Sequence, residues 1–95
     1  MILHTVNKAS TDSSALAQCL AVISTDDYLL LIEDGVYNAL LNVEQLTILS
    51  CRCSVLKADA DARGISAKAA DNFNLVSYEQ FVELVANCKL TQSWF

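Results

Sequence analysis

Proline is missing from all 95 residues. Any fold that depends on a cis-proline loop is therefore excluded, because cis peptide bonds are essentially confined to X–Pro. Glycine is almost as scarce, with only Gly35 and Gly64. Neither G-x-G-x-x-G nor G-x-x-x-x-G-K-[ST] is present, so the backbone nests that cradle nucleotide phosphates are lacking. Positive charge is thin: six Lys plus Arg face eleven Asp plus Glu, a net charge of −5. That balance argues against a large phosphate footprint on nucleic acid. Long apolar runs are missing too. The longest strong one, Tyr28 to Ile32, is strand-sized, far short of the roughly 18–20 residues a membrane span needs. The start, Met1 to Lys8, has neither a basic n-region nor a long apolar h-region, so no signal peptide is expected.

What is present is apolar. Hydrophobic residues make up 54% and mean hydropathy is +0.35, which rules out a disordered chain. The length supports one core, so residues 1–95 are expected to form a single domain. A chain this short buries roughly 60–70% of the surface its unfolded form exposes. Part of its apolar content is therefore expected to be reserved for partners.

Periodicity gives the elements. Met1 to Val6 reads as a first strand buried on both faces. Asp12, Ser13 and Ser14 offer helix N-caps, after which Leu16, Cys19, Leu20 and Ile23 fall at i, i+3, i+4 and i+7 on one helical face. Tyr28 to Ile32 predicts a strand covered on both faces, ended by Glu33-Asp34-Gly35, with a short helix over Val36 to Leu41. Cys51 to Leu56 reads as a third strand, Ala58 to Gly64 as a polar loop and Phe73 to Val76 as a fourth strand. Ser77 with Gln80 makes a capping-box pattern, and the last helix places Phe81, Leu84, Val85 and Cys88 on one face. Strands alternating with helices predict a small layered α/β/α domain with a mostly parallel sheet of four to five strands.

In such a sheet, sites form beyond the carboxyl ends of the strands. Those ends are Asn7-Lys8, Glu33-Asp34-Gly35, Lys57 to Asp61 and Ser77-Tyr78. The single histidine, His4, lies inside the first strand, where a satisfied core histidine is favoured over a hydrolytic triad. The four cysteines are expected to be free thiols in the cytoplasm, since no secretory signal accompanies them. Cys51 and Cys53 are two apart in a strand and point to one face. They are not C-x-x-C, and no second pair completes a tetrahedral metal site, so core thiols are expected and no metal or cofactor. Cys88 lies on the apolar stripe of the last helix. Cys19 is placed at the edge of its stripe, where packing and reactivity compete. Trp94 and Phe95 are costly to expose at a chain end, so residues Thr91 to Phe95 are expected to anchor an interface, or else to fold back on their own domain.

Several segments carry a resemblance. Ile2-Leu3-His4-Thr5-Val6-Asn7-Lys8, Leu29 to Tyr37, Asp61-Ala62-Arg63-Gly64, Tyr78 to Val82 and the terminal Trp94, taken in order along nearly the whole chain, resemble the TusB/DsrH family. The resemblance implies a DsrE/F/H-like fold and a cytoplasmic sulfur-relay subunit. It further implies assembly with TusC- and TusD-like subunits (or DsrF- and DsrE-like ones) as a heterohexamer. That complex passes persulfide sulfur toward 2-thiolation of the tRNA wobble uridine. The main carrier cysteine belongs to the TusD/DsrE subunit. This chain is then chiefly structural, an accessory subunit of a sulfurtransferase complex, with no direct contact to nucleic acid or membrane. Ala15 to Leu20 matches the segment where DsrH-branch members carry a cysteine, which makes Cys19 a candidate persulfide carrier. Three readings stay open here: the tRNA-thiolation subunit, a DsrH-type subunit of a sulfur-oxidation complex with a reactive Cys19, and a non-catalytic interaction or small-molecule-binding α/β domain using Asp34 or Arg63 at the strand ends.

Overall fold

The computed structural model describes residues 1–41, 46 and 52–95. Five strands, β1 (Ile2–Val6), β2 (Tyr28–Leu31), β3 (Cys53–Leu56), β4 (Asn74–Val76) and β5 (Leu90–Trp94), form one sheet in the order β4-β3-β2-β1-β5. Every pairing is parallel. The α/β expectation holds, at the upper end of the strand range and with the sheet parallel throughout. Cys51, the expected start of the third strand, lies outside the described residues.

The connections follow from the travel of the chain. From β1 to β4 it moves steadily toward one edge, through α1 (Ala15–Val22), a 3₁₀ helix (Glu33–Leu40), α2 (Lys57–Ala62) and α3 (Ser66–Ala70). Residues of all four helices pack on one sheet face with Val6, Leu29, Leu31, Cys53 and Val55. The chain then returns past the whole sheet to β5 through α4 (Tyr78–Asn87). Parallel crossovers are right-handed, so a reversed direction of travel puts the helix on the opposite face. There Phe81 and Leu84 meet Leu3, Leu30, Leu56, Val76 and Cys88. Successive residues of β2 and β3 alternate between the two clusters, as the strand period of two requires. Both faces are covered, which is why Leu29, Leu30 and Leu31 run unbroken and are all buried.

Two local expectations are corrected, and one segment gains an element. Lys57 to Ala62 is helix rather than a polar loop. Its three alanines favour helix, and Lys57 Nζ meets Asp61 Oδ2 at 2.8 Å one turn on. The last helix keeps its capping box: Ser77 Oγ accepts from the Gln80 N–H, and Gln80 Oε1 accepts from the Ser77 N–H. Its buried face, however, is Phe81, Leu84 and Cys88, while Val85 turns out to solvent. Leu90 to Trp94, for which the periodicity predicts no element, are a fifth strand paired with β1, so this segment folds back on its own domain.

Candidate functional site

Two strand ends dominate the polar architecture. At the carboxyl end of β2, Glu33 takes a left-handed backbone (φ 49°), which a β-carbon disfavours. Its N–H donates to Asp59 Oδ2 at 2.6 Å, and the Asp34 carboxylate holds the Arg63 guanidinium at 2.9–3.0 Å. Gly35 then lies flat against β1: a β-carbon there would sit 2.0 Å from the Val6 carbonyl oxygen. No other residue type fits that contact. Asn38, fully buried, ties the next loop down. Its Oδ1 accepts from the Ser10 N–H and hydroxyl, each at 2.9 Å, and its Nδ2 donates to the Lys8 carbonyl at 3.0 Å. A cleft of about 330 Å³ opens here, lined by Ser10, Asp12, Asp34, Tyr37, Asn38 and Leu41. Asn7 Oδ1, at the end of β1, is the one buried side-chain polar atom without a partner among the described residues.

The second array runs across β1. His4 is buried, as its strand position predicts. Trp94 Nε1–H donates to His4 Nδ1 at 3.1 Å, and the rings stack with 6.2 Å between centroids. An indole N–H can only donate, so Nδ1 is an acceptor and the imidazole proton sits on Nε2, donating to Asp27 Oδ2 at 3.0 Å. Asp27 also accepts from the Ser24 N–H at 3.1 Å and, through Oδ1, from the Ile2 N–H at 2.9 Å. Burial pushes the Asp27 carboxyl up, but the bonds from His4, Ser24 and Ile2 outweigh it and hold it at about 2. Both ring nitrogens of His4 are engaged, so it has no free lone pair for general-base work. This is a structural tie, and sequence reasoning missed Asp27 in it, as it missed Asn38 in the first array. Asp27 reads in sequence only as a loop polar residue and Asn38 as a polar residue of a short helix; the paired Asp26-Asp27 before a buried strand carrying no cation is the faint signal.

The thiols are placed as follows. Cys19 is 0% exposed, at the centre of the α1 stripe rather than its edge. Burial and the nearby Asp27 charge push its thiol up to about 12. Cys53 faces the same cluster, and burial together with Cys19 pushes it up to about 12. Cys88 is buried on the other face. None of the three is disulfide-bonded. Trp94 is half-buried on its own chain, whereas Phe95 is 76% exposed. Among the described residues no cluster of metal-ligating side chains occurs, and no helix is long and apolar enough to cross a membrane.

A family profile described as "DsrH like protein" matches residues 8–90. The chain belongs to the DsrH family. Within that family it is similar to Protein TusB of Yersinia pestis and of Yersinia pseudotuberculosis. Each is 35% identical over 98 residues, covering 98% of this chain and 100% of the relative. Among solved structures, the ychN protein of E. coli superposes with a TM-score of 0.81 at 19% identity, covering 97% of both chains. Protein Tm0979 of Thermotoga maritima gives 0.67 at 27% identity over 90% of this chain and 92% of its own. The sequence segments that resemble the TusB/DsrH family meet in this DsrH-family fold: Asp34 pairs with Arg63, and His4 with Trp94. These pairs belong to the two polar arrays.

Proposed function

We propose that this chain is a non-catalytic subunit of a sulfur-relay complex that serves 2-thiolation of the tRNA wobble uridine. The observation that carries this reading is similarity to TusB along the full length of both chains. In the relay an acceptor thiolate attacks the sulfane sulfur of a donor persulfide. A new S–S bond forms on the acceptor, the donor's S–S bond breaks, and the donor leaves as a thiolate, with no net oxidation. Such a step needs an accessible thiol with thiolate character. Burial and the raised thiols of Cys19 and Cys53 support assigning the carrier role to other subunits. TusC- and TusD-like subunits in a cytoplasmic heterohexamer are the partners in this reading, with Phe95 and the exposed apolar side chains as contact surface.

The test is co-expression with TusC- and TusD-like subunits, loading of the complex with a persulfide donor, and mass spectrometry of each chain. Added sulfur on the partners alone is the expected result, with transfer unchanged by Cys19→Ser. Sulfur on Cys19, lost together with transfer in Cys19→Ser, would establish instead the DsrH-type reading in which this chain is itself a carrier.

A further inference from the structure

β5 closes one edge of the sheet with its outer side open. Among the described residues its only strand partner is β1. An edge strand turns a row of main-chain N–H and C=O groups outward, a template for another strand, and proteins blunt such edges with short strands, charges, proline or bulges. β4, at the other edge, is blunted by its length of three residues. β5 is not. It has five residues, Leu90-Thr91-Gln92-Ser93-Trp94, with no charge and no proline, and its register against β1 runs through them without a bulge. Leu90 is 64% exposed and Thr91, Gln92 and Ser93 are exposed, so the edge is uncovered.

The order of side chains selects the occupant. Read in either direction, β5 is a large apolar residue, a hydroxyl, an amide, a hydroxyl and a large apolar residue. Two copies related by a two-fold axis pair the same patch with itself. With the axis at Gln92, Leu90 stands opposite Trp94 of the second copy, Thr91 opposite Ser93, and Gln92 opposite Gln92. Opposed residues then differ by an even number of positions, so outward main-chain groups meet outward ones, as an antiparallel ladder requires. Aliphatic–aromatic and hydroxyl–hydroxyl pairs stabilise such a ladder. Two Gln amides can each donate and accept. Ser93 Oγ accepts from Thr5 Oγ1 at 3.2 Å, which leaves its own proton to cross to Thr91. The register of Gln92 with His4 and of Trp94 with Val6 puts Leu90, Gln92 and Trp94 on the α1 face. An axis normal to the sheet keeps like faces together, so the two α1 helices flank the seam.

The charges permit this contact. Neither β5 nor α1 carries a charged side chain. Glu79 lies in the first turn of α4, just after β4, and Glu83 lines a groove over β3 and β4, so both sit toward the far edge of the sheet. Lys89, exposed, immediately precedes β5. In this register it stands opposite Phe95 of the second copy, which separates the two Lys89 positions by six residues along the seam. At about 3.4 Å per residue that is about 20 Å, well beyond the screening length of about 8 Å at physiological salt.

We propose that β5 is the seam of a two-fold homodimer, pairing antiparallel with β5 of a second copy about Gln92 to make one continuous sheet. The proposal goes beyond the relay reading and does not rest on it, because the isolated chain shows it. Sedimentation of the isolated chain over a concentration series should show a monomer–dimer equilibrium in the micromolar range. A residue on the axis meets itself, so Gln92→Lys and Gln92→Glu each set like charges side by side and should each weaken the dimer at least tenfold. Mixed in equal amounts, the two variants should recover it as a heterodimer, with the recovery shrinking at high salt. Should either variant not fold, hydrogen exchange in the wild type carries the test: amides of 90–94 should slow as concentration rises, and exchange independent of concentration overturns the proposal. A wild-type chain that stays monomeric to millimolar concentration overturns it too. So does a dimer that both variants leave intact, or one that their mixture does not restore. Protection of 90–94 that appears only when a different chain is added gives the edge to another partner and overturns it as well.

Discussion

Replacing Asp27 by Asn should be one of the most damaging single-atom-scale changes available in this chain. The carboxylate takes three N–H donors, from Ile2, Ser24 and His4, at 2.9–3.1 Å in a buried position. Hydrogen bonds to a charged group contribute about 1.5–3 kcal/mol each, against about 1 for neutral pairs, and a buried donor left unpaired costs about 1–3. The amide keeps one acceptor oxygen. Turned to serve His4 and Ser24, it directs its own N–H₂ at the Ile2 N–H. One bond is lost donor-to-donor and two become neutral, so the expected loss is about 3 kcal/mol. For a domain of this size that lowers Tm by about 12–24 °C. Thermal melts followed by circular dichroism read it directly. The pH dependence gives a second reading. The folded carboxyl of Asp27 titrates at about 2, below its ordinary value of 3.8. A depressed carboxyl contributes stability that is present above the ordinary value and lost as pH falls through the folded one. The gap between wild type and Asp27→Asn should therefore be full at neutral pH and narrow as pH drops from about 4 toward about 2. A loss under about 1 kcal/mol at neutral pH, or a gap that does not narrow in acid, would refute the three-donor account.

Gly35→Ala should lose about 3 kcal/mol or fail to fold, because its new methyl meets the Val6 carbonyl 2.0 Å away; chemical denaturation measures it, and a near-neutral result would mean that the turn can shift. Asn38→Ala should cost about 2–4 kcal/mol by freeing the Ser10 donors and the Lys8 carbonyl, with faster hydrogen exchange confined first to residues 8–12. Native alkylation at pH 8 should leave Cys19 and Cys53 unmodified over hours, since a thiol at about 12 is about one part in ten thousand thiolate there; prompt labelling of Cys19 would contradict its burial. Truncation after Gln92 should destabilise the free chain, as it removes the Trp94 bond to His4 and the Ser93 hydroxyl bond to Thr5; an unchanged melt with weakened assembly would instead make Trp94 a pure interface residue.

The central elements were legible because their burial is written in composition. Tyr28 to Ile32 is apolar throughout and Met1 to Val6 is interrupted only by His4 and Thr5, and sheets covered on both faces need such runs. The α4 cap was legible because Ser77 and Gln80 carry the whole motif within four residues. β5 was not, since Leu90-Thr91-Gln92-Ser93-Trp94 pairs on one side only and keeps polar residues outward, so neither a continuous apolar run nor a full alternation betrays it. α2 was hidden by its aspartates, which read as loop until Lys57 is seen to pair with one of them. The site was legible in part of its membership and not in its bonds: Asp27 and Asn38 gave no sign of their roles. His4 and Trp94 stood out as single residues, yet 90 positions separate them, and no local pattern foretells that their rings stack. Cys19 was misplaced by one step around its helix: the stripe was right, but α1 lies deep enough that its midline, not its rim, carries the thiol.

The pairing of the last strand with the first has a consequence for biosynthesis. β1 is synthesised before β2, β3 and β4, and its edge partner β5 only after them. Until β5 is made, one edge of β1 has its main-chain N–H and C=O groups unpaired, beside a His4 that Trp94 does not yet cover. Open strand edges invite pairing with other nascent chains, and contacts of such long sequence separation form late. A chain cut short before Leu90 holds four of the five strands, with β1 as a sticky edge. The soundness of the sheet therefore waits on the strand that is made last of the five.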